Sequence, residues 1–152
     1  MNLRKHLFLS LCFALLGAGA VFAHSGATGI VKERMEAMKA IGKTMKALGA
    51  MAKGDAAFSA AKMKAASKTI KGHAGNIDRL FPDTKKSRKS HVTEAAPAIW
   101  EQKPEFLALA KKMAEAAGGL ETISSRNELG GQMKALAATC KGCHEKFRIK
   151  KK

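Results

Sequence analysis

Five residues near the end of this chain constrain it more than any others: Cys140-Lys141-Gly142-Cys143-His144. Two thiols separated by two residues and followed directly by an imidazole form the C-x-x-C-H pattern to which a c-type haem is attached. Each thiol adds across one vinyl group of the haem and leaves a thioether, and the imidazole lies where it can bind the iron. On a helix, positions 140, 143 and 144 share one face, because residues three and four apart are neighbours. One turn therefore supplies both covalent anchors and a proximal ligand. A C-x-x-C pair alone also suits a thioredoxin-like redox couple or half of a zinc site. Here no strand pattern precedes it, and a second ligand pair at metal spacing is missing.

The other end of the chain supports the haem reading. Residues 1–23 read as a secretory signal peptide: Arg4 and Lys5 precede an apolar run from Leu7 to Leu16, and Val21-Phe22-Ala23 offers a cleavage site. The run is short for a membrane span, so no stable membrane insertion is expected once the signal is removed. Cys12 leaves with it, and Leu11 before that cysteine argues against a lipoprotein. The mature domain, 24–152, then keeps only Cys140 and Cys143. In an oxidising compartment two such thiols tend to pair unless something consumes them. Covalent haem does so, which makes a bacterial periplasm the expected location.

At 152 residues the chain suits one small domain. It is 46% hydrophobic but only 5% aromatic, so its core is Ala, Leu and Met, which favours helices over sheets. A thin core of this kind gains apolar surface to bury from a haem. The formal charge is +16, about +14 without Arg4 and Lys5. The lysines are spread along amphipathic helices and no nucleic-acid motif is present, so nucleic acid is not the expected partner. The charge reads either as a surface that steers acidic redox partners or anionic membrane, or as a solvated face with no specific partner.

Periodicity predicts four helices. Helix A spans roughly 28–52, with one seam at Val31, Met35, Met38, Gly42, Met45 and Gly49 and a second at Ile30, Ala37, Ile41, Thr44 and Leu48. Gly54 stops it and Asp55 caps helix B, roughly 56–77, whose core positions are Phe58, Ala61, Ala65, Thr69, Ile70 and Ile77. Pro82 ends that helix, and 83–96 reads as a long polar crossover loop. Helix C begins near Pro97, with Pro104 either kinking it or delaying its regular start by a turn. Helix D begins between 122 and 128 and runs past the haem motif to about Ile149. The expected fold is all-α, an antiparallel four-helix bundle enclosing one covalently attached haem c.

These features together resemble the cytochromes c′ and their low-spin relatives, the cytochromes c-556. The resemblance covers the mature chain. It rests on the C-terminal haem motif followed by Glu145-Lys146-Phe147-Arg148, on Leu80-Phe81-Pro82-Asp83 and Ala98-Ile99-Trp100, and on Arg34-x-x-x-Met38-Lys39 and Gly49-Ala50-Met51-Ala52-Lys53-Gly54. It implies His144 as proximal iron ligand and places Met38 at the distal position. In the cytochromes c-556 that position is an iron-binding Met; in the cytochromes c′ it is usually a residue that does not bind. Four of the chain's eight methionines lie on helix A, and Met at helical spacing also serves as core filler. Met35 and Met45 are further candidates on the same seam. Arg34 is expected either at a haem propionate or at the surface, and Arg148 as a basic residue that tunes the haem. His73, His91 and His24 are expected to be solvated.

With His144 and Met38 on the iron, the chain is expected to carry single electrons to and from a redox partner with an acidic face. With Met38 off, the iron is five-coordinate and open to nitric oxide or carbon monoxide. No general base or nucleophile accompanies the haem motif, so the chain is not expected to be an enzyme. Relatives of this kind occur as monomers or as homodimers through helices A and B.

Overall fold

The computed structural model describes residues 26–89 and 92–149. The expected signal peptide, His24 and His91 lie outside the described residues. Four long helices carry the fold: α1 (Gly29–Lys53), α2 (Ala60–Gly75), α6 (Lys103–Gly118) and α7 (Arg126–Phe147). Three single turns, α3 (Ile77–Leu80), α4 (Lys85–Arg88) and α5 (Ala98–Glu101), lie on the connection between α2 and α6. A 3-10 turn at Gly119–Thr122 joins α6 to α7. Among the described residues there is no strand, only an isolated antiparallel bridge between Ala95 and Arg148.

The helix ends follow local chemistry. Gly54 closes α1 at φ 92°, a left-handed conformation that glycine adopts without a Cβ clash. This turns the chain so that the Asp55 amide donates to the Ala50 carbonyl at 2.9 Å. Asp55 does not cap the next helix. That helix begins four residues later than expected, at Ala60, where the Ser59 hydroxyl accepts from the Lys62 amide at 3.3 Å. Pro104 lies in the first turn of α6, where its missing N–H costs no helical bond. The chain breaks at Gln102 just before it, so the proline delays the helix rather than kinking it. Helix α7 stops at Phe147, and Arg148 is extended at φ −119°, ψ 129°, two residues short of the expected end.

The core gives the helix directions. One cluster joins Leu48 and Met51 of α1, Met63 and Ile70 of α2, Ala117 of α6, and Leu129 and Leu136 of α7. The other joins Ala37 of α1, Ile77 of α3, Phe106 and Ala110 of α6, and Phe147 at the end of α7. Chain order through the two clusters reverses at each successive long helix, so the bundle runs up, down, up, down, with α1 also packed on α7. This is the expected antiparallel four-helix bundle. Its two ends differ: the first cluster is aliphatic, while the second holds Phe81, Phe106 and Phe147 in successive edge-to-face contacts at 5.0 and 5.2 Å.

The expected seams are partly wrong. On α1 the buried stripe is Val31, Arg34, Ala37, Ile41, Leu48 and Met51. Met35, Met38, Gly42 and Met45 of the first expected seam instead line cavities at the aromatic end. On α2 the buried residues are Met63, Ala66, Ser67, Ile70 and Ala74, while Ala61 and Ala65 are exposed. Alanine and glycine bury too little surface for the pattern alone to choose between adjacent stripes.

Candidate haem-binding site

Two cavities open at the aromatic end, between the first half of α1 and the last turns of α7. One, about 340 Å³, is walled by apolar side chains, among them Ile41, Met45, Ile77, Leu109 and Met113, together with Cys140 and Cys143. The other, about 650 Å³, is lined by Arg34, Met35, Lys39, Phe81, Thr93, Glu94 and Arg148. Met38, His144 and Phe147 line both. Cys140, Cys143 and His144 thus border one space with Met38, as their positions three and four apart on a helix require. Small residues keep the wall behind them low: Ala137 and Thr139 line the apolar cavity ahead of Cys140.

The electrostatics divide along the same line. Burial holds the Cys140 thiol above its ordinary range. Burial, with Cys140 beside it, lifts Cys143 to about 11, so both thiols are neutral near pH 7. They are not joined to one another. Burial pushes His144 below its usual value, the charge of Arg148 adds to the effect, and Glu94 opposes it. A neutral imidazole is the form that binds a metal.

Arg34 lies inside the protein rather than at its surface. It is 4% exposed. Its Nη2 donates to the Ser87 hydroxyl at 2.6 Å and to the Ser87 carbonyl at 3.2 Å, and its Nη1 donates to Thr93 Oγ1 at 3.3 Å. The guanidinium lies 4.4 Å over the Phe81 ring. Its Nε is buried without a hydrogen-bond partner, and burial lowers its pKa. Among the described residues it has no ion pair with a carboxylate. A buried cation with an unmet donor at a cavity mouth suits an anionic group entering there.

These observations test the fit of a haem. A c-type haem needs two thiols and an imidazole on one helical face, an apolar slot for its ring, and cations where its propionates emerge. The apolar cavity, the C-x-x-C-H face and buried Arg34 meet those needs in adjacent positions. A zinc site gains no support, since no three His, Cys, Asp or Glu side chains among the described residues converge on one point.

The remaining candidates fall on either side of this boundary. Met35 lines only the polar cavity and is 37% exposed, and Met45 lines only the apolar one. Arg148 lines the polar cavity but is engaged by Glu94, with its Nε donating at 2.7 Å. His73 sits in the last turn of α2 and lines neither cavity. Lys146 pairs with Glu105 at 2.6 Å. Ser87, Thr93 and Glu94 were missed by sequence reasoning. They belong to a polar connecting segment with no motif, and only their meeting with arginines 53 to 59 residues away marks them.

The sequence profile of the Cytochrome C' family matches residues 29–148. A cytochrome c-556 from Agrobacterium fabrum is 38% identical over 149 residues, 97% of either chain. The solved cytochrome c′ of Rhodopseudomonas palustris superposes with a TM-score of 0.75 at 32% identity, over 83% of this chain and all of that one. The oxidised cytochrome c556 of the same organism gives 0.70 at 31% identity, over 81% of this chain and 98% of its own.

Proposed function

Because the chain belongs to the cytochrome c′ family, whose members carry covalently attached haem c and either transfer electrons or bind gases, we propose that it is a periplasmic one-electron carrier with His144 and Met38 as axial ligands. The observation that supports this most is the position of Met38: of the methionines on α1, it alone lines both cavities together with His144. The single C-x-x-C-H motif corresponds to one haem per chain.

Bound haem supplies a one-electron Fe(III)/Fe(II) couple. The chain's residues divide the remaining work. Cys140 and Cys143 would tether the ring and His144 would hold the iron from α7. Met38 would offer a soft thioether from α1, which favours the reduced state relative to a second imidazole. The helices that carry these two residues, α1 and α7, pack on one another. Phe106 and Phe147 wall the apolar slot against water, and the buried charge of Arg34 would balance a propionate at the polar cavity. A carrier rather than an enzyme is the reading that membership of this family supports.

Residues 1–23 are proposed to direct export and to be removed after Ala23. The basic surface is proposed to orient a partner with an acidic face. No described helix is long and apolar enough to cross a membrane. Self-association as a homodimer or its absence is read by sedimentation.

The test is the optical spectrum of the purified protein, ferric, then reduced with dithionite, then exposed to carbon monoxide. Sharp low-spin bands that carbon monoxide barely alters are expected. A broad high-spin spectrum that shifts strongly with carbon monoxide would remove Met38 from the iron and move the chain to the gas-binding branch of its family.

A further inference from the structure

The crossover between α3 and α5 does more than connect two helices. It runs beside the chain that leaves α7, and the two are clasped by backbone hydrogen bonds: the Ala96 amide donates to the Phe147 carbonyl at 3.0 Å, and the Ile149 amide donates to the Glu94 carbonyl at 2.8 Å. The Ala95–Arg148 bridge lies between them. Within this clasp, Arg148 donates to the Glu94 carboxylate through Nε at 2.7 Å and through Nη2 at 2.6 Å. The residue before Glu94, Thr93, accepts from Arg34. Consecutive residues of the crossover thus hold one arginine from α1 and one from the end of α7, and all four side chains line the cavity that His144 borders.

We propose that Glu94 is a positioning residue for the haem: by clamping Arg148 beside His144, the crossover segment, and not the haem helix alone, sets the midpoint potential. The inference rests on haem attachment at Cys140, Cys143 and His144 but not on the identity of the sixth ligand. The physical reason is charge. An oxidised haem carries one more positive charge than a reduced one, so a nearby cation favours reduction and a nearby carboxylate opposes it. Glu94 is the more enclosed partner, 27% exposed against 54% for Arg148. An ion pair this wet adds little to stability, so its effect is to be sought in the potential rather than in the melting temperature. Because Arg148 follows the last helical residue, nothing in α7 fixes its side chain, and the clasp is what holds it beside His144.

The experiment is redox titration of the holoprotein as parent, Glu94→Gln, Glu94→Asp, Arg148→Gln and the Glu94→Gln/Arg148→Gln double variant. Arg148→Gln is expected to shift the redox equilibrium about tenfold toward the oxidised form, equivalent to about 59 mV for one electron. In the Glu94→Gln background, where the carboxylate no longer holds Arg148, the same substitution shifts the potential by half as much or less. Glu94→Asp, which keeps the carboxylate, leaves exchange of the Ile149 amide as in the parent. Hydrogen exchange at the Ile149 amide should quicken in Glu94→Gln, an independent sign that the clasp has loosened. An Arg148→Gln shift of undiminished size in the Glu94→Gln background overturns the proposal, and so does an Arg148→Gln potential equal to the parent's. Haem content and the carbon monoxide response of the same samples report on attachment and on Met38 separately.

Discussion

Arg34 donates to the hydroxyl of Ser87 at 2.6 Å, joining α1 to the turn α4 across 53 residues of chain inside the protein. Ser87 is fully buried, and Arg34 is its side-chain partner there. The Ser87 amide in turn donates to Thr84 Oγ1 at 3.2 Å, which fixes α4 from its N-terminal side. The same guanidinium covers Phe81 and reaches Thr93, so one cation organises the crossover while its Nε stays buried without a partner.

Replacing Arg34 with Met should therefore lower the unfolding free energy of the holoprotein by about 2 kcal/mol, the usual cost of leaving buried polar partners unmet. Arg34→Lys should recover less than half of that, because one ammonium cannot span Ser87 and Thr93 as the planar fork does. Guanidinium denaturation followed by helical circular dichroism measures both, and an unchanged midpoint in Arg34→Met would contradict the assigned role.

Met38→Ala should convert a low-spin spectrum into a high-spin one that responds fully to carbon monoxide. Met35→Ala and Met45→Ala should leave the bands in place, since each of these residues lines only one of the two cavities. If either of them alone abolishes the low-spin bands, the ligand has been assigned to the wrong methionine.

Cys143→Ala should leave haem attached through Cys140 alone. The reduced pyridine haemochrome then absorbs at longer wavelength, because one vinyl group stays conjugated with the ring. The double variant with Cys140→Ala should release its haem to acidified organic solvent. Haem that resists extraction from the double variant would mean attachment elsewhere.

Glu121 gives a pH-dependent prediction. Its carboxylate accepts from the buried Ser67 hydroxyl at 2.7 Å and from Lys71 at 3.0 Å, tying the turn after α6 to α2. The Ser67 hydrogen bond, then that of Lys71, holds its pKa below the usual carboxylate range. A depressed carboxylate stabilises the fold above its unfolded pKa, and that stability is lost as the pH falls through the lower folded value. Parent and Glu121→Gln should thus differ in thermal midpoint at pH 7 and converge toward pH 3. Parallel curves across that range would dissociate the carboxylate from stability.

Much of this fold was legible because its determinants are local. Gly54 stops α1 by its own backbone freedom, and Pro104 shifts the start of α6 through its missing donor. The candidate site's covalent centre needs only five consecutive residues, and helical geometry alone turns Cys140, Cys143 and His144 to one side. The start of α2 was misplaced because Asp55 and Ser59 are both good caps, and the choice between them depends on how tightly the turn after α1 folds back.

What the sequence by itself determined is therefore the helical class, the approximate helix count and the C-x-x-C-H centre, all set by periodicity, capping and spacing within a few turns. Only the tertiary structure decided which stripe of α1 is buried, that Arg34 lies inside rather than at the surface, and that Glu94 holds Arg148. Those outcomes depend on side chains 53 or more residues apart meeting in one place. The value of such a meeting comes from burial and charge in a shared environment, which no local pattern in the chain encodes.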